Sequence, residues 1–259
     1  PNNDRLLVFD DVSEMVSAQR AKAWGEVARR LAHEIKNPLT PIQLSAERLQ
    51  MKLTGKLPEP EEAVLAKSVR TIVDQVDAMK RLVNEFRDYA RLPAAELHPL
   101  DLNALVTDVL QLYGSENATV PVAVELDPRC PPVAGDAQQL RQVVHNLLQN
   151  AQDATEEAAR KGQVPAEPVH ISTHWSESSR RVRLTVSDRG SGFAPNILQR
   201  ALEPYVTTKS GGTGLGLAVV KKIADEHGAR VDLVNRMENG MVRGAQVSLS
   251  FAPERAVAL

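Results

Sequence analysis

The sequence predicts two unlike modules in tandem: an all-α antiparallel helical hairpin, suited to dimerising into a four-helix bundle, followed by an α+β sandwich. Three observations carry that prediction. Apolar residues recur every three or four positions through the first third of the chain, with one interruption at residues 54–60. Beyond residues 92–99 the pattern changes to short alternating strands mixed with helices, without regular βα alternation. Aromatic residues make up only 3 % of the chain while Leu, Val and Ala are plentiful, which favours helices packed along seams.

Residues 5–12, Arg5-Leu-Leu-Val-Phe9-Asp-Asp-Val12, read as a short apolar strand that cannot fold alone, so residues 1–12 are expected to end an upstream domain. Asp11 with Glu14 resembles a capping box and should start a helix at residue 12 or 13. That helix is expected to reach Leu53, roughly 60 Å at about 1.5 Å per residue. Its seam holds Trp24, Ala28, Leu31, Ile35, Leu39, Ile42, Ala46, Leu49 and Leu53. At about 100° per residue, His33 lies roughly 200° from both Leu31 and Ile35, so its imidazole should point into water. Asn37 shares that face one turn later, and Glu34 stands beside it. Pro38 and Pro41 remove two backbone donors, which frees the carbonyls of Glu34 and Asn37 and should bend or loosen the helix there. An exposed neutral imidazole flanked by an acid suits nucleophilic chemistry, because the acid can orient it and take its proton.

Thr54-Gly-Lys-Leu-Pro-Glu-Pro60 breaks the helix. From Glu61 a second helix carries Leu65, Val69, Ile72, Val76, Met79, Val83, Phe86 and Ala90 in alternating steps of 4 and 3. Two such helices make a hairpin with one seam, and a hairpin alone buries too little; a two-fold dimer is the economical solution. A plain coiled-coil spacer fits everything in residues 13–92 except His33 and its neighbours.

Residues 93–98 read as a hinge. Then come a helix at 101–113, a strand at 119–126, and a helix at 136–160 that Asp136 could cap. Strands follow at 169–175 and 181–187, a helix at 215–227 ended by Gly228, and strands at 230–235 and 245–251. Helices on one face of a sheet are the expected layering.

The bulk numbers bound the function. A length of 259 residues allows one or two domains with real cores. The net charge of -2 provides no broad basic field, so no nucleic-acid partner is expected. The single Cys130, in Arg129-Cys-Pro-Pro, excludes an internal disulfide, fits a reducing compartment and reads as an inert thiol. No apolar run approaches the ~20 residues that span a bilayer, and no signal peptide is present. The chain opens at Pro1 without an initiator Met and is read as an excised fragment.

Three clusters in the second module carry chemistry. Asn146 and Asn150, in Asn146-Leu-Leu-Gln-Asn150-Ala-Gln-Asp153-Ala, project from one helix face; such carboxamides serve equally as hydrogen-bond plugs or as oxygen ligands for Mg²⁺. Val186-Ser-Asp188-Arg-Gly190-Ser-Gly192-Phe follows a strand and offers a carboxylate to an exocyclic amine beside glycines that allow close approach. Lys209-Ser-Gly211-Gly-Thr213-Gly214-Leu-Gly216-Leu runs into a helix N-terminus, where exposed amides hold phosphate. It is neither a Walker A loop nor a Gly-x-Gly-x-x-Gly turn after a strand.

In conjunction and order these segments resemble the sensor histidine kinases. His33-Glu34-Ile-Lys-Asn37-Pro38 is similar to the family's phosphoacceptor box, residues 146–154 to its N box, and 188–192 to its first glycine box. Leu202-Glu-Pro-Tyr205-Val-Thr207-Thr-Lys209 is similar to the F box and residues 212–216 to the second glycine box; the resemblance covers roughly residues 20–252. Residues 27–47 resemble the nitrogen-regulation kinases of the NtrY type, and 5–12 the last strand of a PAS sensor domain. The resemblance implies a dimerisation and histidine-phosphotransfer hairpin at 13–92, a Bergerat-type ATP-binding domain at 99–252 and a tail at 253–259. It implies ATP and Mg²⁺ as cofactors: Asp188 on the adenine amine, Gly190 and Gly192 beside it, Asn150 helped by Asn146 on the metal. The implied phosphate-side contacts are Thr208, Lys209, Gly212, Thr213, Gly214, Leu215 and Gly216, under a mobile lid at about 193–213. His33 would attack the γ-phosphate with Glu34 as base or orienting group, and Asn37 would orient water for dephosphorylating the regulator.

The implied partners are a second copy of the chain, giving a homodimer, and the receiver domain of a response regulator. No nucleic acid is implied, and membrane attachment would lie only in an N-terminal region outside the chain, a cytoplasmic fragment of an inner-membrane sensor. Gln43, Glu47 and Gln50 are expected to help select the regulator. Two departures are visible: Tyr205-Val206 replace the F box phenylalanines, and Arg189 stands where Asn is common. Two rivals remain, an ATPase of the same superfold and a dimerisation scaffold with a decayed kinase module. The ATPases carry a glutamate base one turn before the metal asparagine, where this chain has Asn146. The other histidines, His98, His145, His170, His174 and His227, have blander expectations, with His227 favouring its helix C-terminus through the dipole.

Overall fold

The computed structural model describes residues 13–111, 120–162, 167–209 and 212–254, with side chains in the first helix from Leu31 onward. The strand at 5–12, the Asp11 cap, the packing of Trp24 and Ala28, residues 210–211 of the lid and 255–259 of the tail lie outside the described residues. The chain divides between Pro93 and Ala94 into two compact units.

The first unit is a hairpin of α1 (Ser13–Leu53) and α2 (Glu59–Arg91). The helical assignment of α1 continues through Pro38 and Pro41. Helix α2 begins two residues before the expected position, because Pro58 takes the extended N-cap conformation and Pro60 sits in the first turn, where its missing N–H costs nothing. The hairpin buries only one column of each apolar stripe: Ala32, Leu39 and Ala46 on α1 and Val69, Val76 and Val83 on α2, each spaced by seven residues. The flanking column stays open, with Leu31, Ile35, Ile42 and Leu49 of α1 at 42–54 % exposure and Ile72 and Met79 of the α2 heptad exposed as well. Two helices have too few neighbours to cover both flanks of a stripe.

The second unit starts with β1 (His98–Leu100), which pairs antiparallel with β3 (Val133–Gly135). A five-stranded sheet is formed by β2 (Val122–Leu126), β4 (Val169–Ser176), β5 (Arg181–Ser187), β6 (Arg230–Glu238) and β7 (Met241–Phe251) in the order β2-β4-β5-β7-β6. The β2–β4 pair is parallel and the others antiparallel. Helices α3 (Leu102–Gln111), α4 (Ala137–Arg160) and α6 (Gly216–Glu226) supply the other layer, with α4 against β4, β5 and β7 and α6 against β6. Leu140, Val144, Leu148, Val220 and Ile223 of the helices and the inward strand positions Ile171, Leu184 and Leu249 are all buried. Outward positions of the central strands are polar, as in Ser172, Arg183 and Thr185. This is the one-sided layering that half-apolar strands require.

Asp136 caps α4 as its sequence position suggests, accepting the amides of Gln138 and Gln139. The segment read as a hinge belongs in part to this unit. The Ala95 amide donates to the Glu226 carboxylate at 3.1 Å, the Glu96 amide donates to Asp136 at 3.2 Å, and His98 opens β1. The strands at 230–235 and 245–251 are longer than expected and meet in a tight hairpin. Its turn residues Asn239 and Gly240 both have positive φ, the type I′ geometry favoured by Asn-Gly. A short helix α5 (Pro195–Leu198) was also not expected.

Candidate active site

In the first unit His33, Glu34 and Asn37 are all solvent-exposed on α1, the face the helical spacing predicts. Of the residues expected to select a regulator, Glu47 is exposed, whereas Gln43 and Gln50 are half-buried. Gln43 donates to Glu47 and accepts from Lys80, which ties α1 to α2.

In the second unit the site forms where the strand end of β5 meets α4 and the N-terminus of α6. Asp188 is 8 % exposed, and its Oδ1 accepts the amides of Gly190 at 2.8 Å and Ala245 at 3.1 Å. Burial pushes its carboxyl above the usual range, against the two amides and the charges of Arg236 and Lys209. With Oδ1 committed, Oδ2 is left to accept from an amine. The backbone around Asp188 is packed so closely that side chains are excluded: a Cβ on Gly190 would lie 2.8 Å from that of Ala154, and one on Gly244 (φ 133) would overlap the Asp188 carbonyl oxygen. Asn235 braces the turn by accepting the Phe193 amide at 2.7 Å and donating to the Phe193 carbonyl at 2.8 Å.

Asn146 and Asn150 face the start of α6. Asn146 Nδ2 donates to the Gly216 carbonyl at 3.4 Å, and a Cβ on Gly216 would stand 3.3 Å from Asn150 Nδ2. Among the described residues the Asn150 carboxamide makes no hydrogen bond, so its oxygen is available as a hard ligand. The Gly212, Gly214 and Gly216 backbone leads into α6, whose first amides lack intrahelical partners. Leu215 contributes only backbone, because its side chain is in the core and its amide donates to Thr213 Oγ1. Thr208 is exposed. Lys209 reaches back to α4, with Nζ 3.0 Å from Asp153 Oδ2 and 3.5 Å from the Asn150 carbonyl. The replaced F box position shows its own strain: Tyr205 has φ 65 and donates its amide to the Gly214 carbonyl.

The donor set fits a purine nucleotide with a divalent cation: a buried carboxylate for an amine, glycine backbone for phosphates and an uncommitted carboxamide oxygen for a hard metal. Sequence reasoning missed Asn235, Gly244, Arg236 and Asp153. Arg236 donates to the Asp188 carbonyl at 3.1 Å. Only Gly244 gave a signal, as an isolated glycine in a strand marking close backbone approach. Arg189 is explained by its ion pairs with Glu167 and Glu238, which pin the turn after β5 to the edges of β4 and β6. His227 stands at the C-terminus of α6, as its position suggests, but it is held there by packing and hydrogen bonds. It is buried, accepts the Asp136 amide on Nε2 at 2.9 Å and pairs Nδ1 with the Ile223 carbonyl at 2.8 Å. That pattern requires the neutral ring.

Such a pocket defines a nucleotide-binding α+β sandwich, here in one chain with a helical hairpin that exposes a histidine. Residues 23–95 match the family model described as the His Kinase A (phospho-acceptor) domain. Residues 135–255 match that of the histidine kinase-, DNA gyrase B-, and HSP90-like ATPases. The chain belongs to the sensor histidine kinases. Within them it is similar to the Nitrogen regulation protein NtrY of Azorhizobium caulinodans, 38 % identical over 253 residues, which cover 96 % of this chain and 31 % of that protein. Among solved structures it is similar to full-length ShkA in complex with AMPPNP, with a TM-score of 0.61 and 26 % identity over 89 % of this chain and 47 % of that one. It is also similar to the histidine kinase ThkA in complex with the response regulator protein TrrA, with a TM-score of 0.60 and 25 % identity over 95 % of this chain and 68 % of that one. The chain spans about a third of the length of the curated relatives it matches. Among the described residues, no helix is long and apolar enough to cross a membrane.

Proposed function

We propose that this chain is the autokinase core of a homodimeric two-component sensor. With ATP as substrate it phosphorylates its own His33 and passes the phosphoryl group to an aspartate of a response regulator. Residues 13–92 act as the phosphotransfer and dimerisation hairpin, 93–98 as the hinge and 99–252 as the ATP-binding domain. ATP as substrate places the reaction in the cytoplasm.

Asp188 accepts a hydrogen bond from the adenine amine and fixes the base. The backbone amides at Gly212, Gly214 and Gly216 donate to phosphate oxygens, with Lys209 adding a point charge. Mg²⁺, when held by Asn150 and Asn146, supplies charge neutralisation to the triphosphate. An imidazole nitrogen of His33 forms the new bond to the γ-phosphorus as the bond to the β–γ bridging oxygen breaks, and ADP leaves. Glu34 takes or shares the imidazole proton. Asn37, one turn on from His33, orients water when the same core removes phosphate from the regulator.

The observation that carries this reading is the exposed His33-Glu34-Asn37 face in a chain whose other unit builds a pocket around Asp188. Incubation with γ-labelled ATP and Mg²⁺ should place acid-labile label on the wild-type chain and none on His33→Ala or Asn150→Ala. Label on His33→Ala, or ATP turnover without phosphohistidine, would refute it.

A further inference from the structure

Lys209 is the one lid side chain that reaches α4 in an ion pair among the described residues. Its ammonium sits 3.0 Å from Asp153 Oδ2, one turn beyond the metal-type ligand Asn150, whose carbonyl lies 3.5 Å from the same nitrogen. The other Asp153 oxygen is held by Gln149 Nε2 at 2.7 Å, so the carboxylate is aimed rather than free to turn. Both partners are partly shielded, at 30 % and 43 % side-chain exposure, which keeps the pair from being a fully screened surface contact. The charge of Lys209 is also felt at Asp188, across the pocket. Lys209 therefore has two anionic claimants: the Asp153 carboxylate, and the terminal phosphate of a nucleotide bound between Asn150 and the amides of residues 212–216. It cannot satisfy both at full strength, and a triphosphate carries a phosphate that a diphosphate lacks.

Resting on the nucleotide-site reading above, we propose that Asp153 is a specificity-determining residue: it holds Lys209, and with it the lid, on α4 until a third phosphate takes the ammonium over. The exchange makes lid release depend on the γ-phosphate: Lys209 supplies the preference for ATP over ADP, and Asp153, by competing for that cation, sets how large the preference is. Asp153→Asn keeps an oxygen for Gln149 and removes only the charge. It should tighten binding of a triphosphate about threefold or more, the weight of a partly exposed ion pair, and leave a diphosphate nearly unchanged.

Calorimetric titration of the whole chain with AMPPNP and with ADP, at saturating Mg²⁺, tests this on wild type, Asp153→Asn, Lys209→Gln and the double variant, with thermal unfolding checking that each is folded. The proposal expects a raised AMPPNP-to-ADP preference in Asp153→Asn, a lost preference in Lys209→Gln, and a double variant that matches Lys209→Gln. Equal shifts for both nucleotides, weaker binding of both, or additive effects in the double variant would overturn it while leaving the nucleotide site intact. A wild-type chain that binds neither nucleotide would overturn the site and this proposal together.

Discussion

Gly244 shows how much a single missing methyl can decide. Its φ of 133 and its overlap with the Asp188 carbonyl mean that any side chain must push β7 away from the strand end carrying the adenine-type acid. Gly244→Ala is expected to lower stability by about 3 kcal/mol, combining backbone strain and overpacking, and to weaken nucleotide binding at least about tenfold. Urea unfolding and nucleotide titration measure both effects; an unchanged midpoint would show that the turn relaxes freely. At this scale the sequence was partly readable. His33, Asn146, Asn150, Asp188 and the glycines announce themselves by spacing and by residue type. Asn235 and Asp153 do not, because their importance comes from partners 42 and 56 residues away, Phe193 and Lys209. Arg189 likewise gains its role from two acids on other elements.

Among the elements, helix α4 carries the asparagines, and its start is fixed by Asp136. That carboxyl is pushed up by burial but held below the usual range overall by the amides of Gln139, Glu96 and Gln138. Asp136→Ala should cost about 1–2 kcal/mol, seen as a lower urea midpoint at constant slope. Because the folded carboxyl is the stronger acid, its contribution is present above the ordinary carboxylate range and is lost as pH falls through the depressed value. The gap between variant and wild type should therefore narrow in acid. An equal gap at all pH values would assign the effect to packing alone. Helix existence was legible here from periodicity and caps, and the strands from alternation. The three-residue strands β1 and β3 were not, since so short a pairing leaves no pattern in either segment. The length of the β6–β7 hairpin could have been read from Asn239-Gly240.

For the whole molecule, the strict heptad of α2 splits by exposure: Val69, Val76 and Val83 are covered within the hairpin, while Ile72 is 40 % and Met79 54 % exposed. A second hairpin related by two-fold symmetry would cover that second column and complete four helices. Ile72→Asp would put two unpaired charges into such an interface. It should weaken dimerisation on the order of a hundredfold or more, as read by sedimentation, while the hairpin remains helical by circular dichroism. A dimer of unchanged strength would move the interface elsewhere. The tandem plan of hairpin and sandwich was visible from the change of period near residue 92; how Ala95 and Glu96 fasten onto the sandwich was not, because backbone amides carry no signature in sequence. Those two fastenings have a practical corollary for anyone wishing to excise the ATP-binding half. A cut at Pro99 would cost the last carboxylate of α6 and the cap of α4 one amide partner each, whereas a cut at Ala94 keeps both helix ends tied.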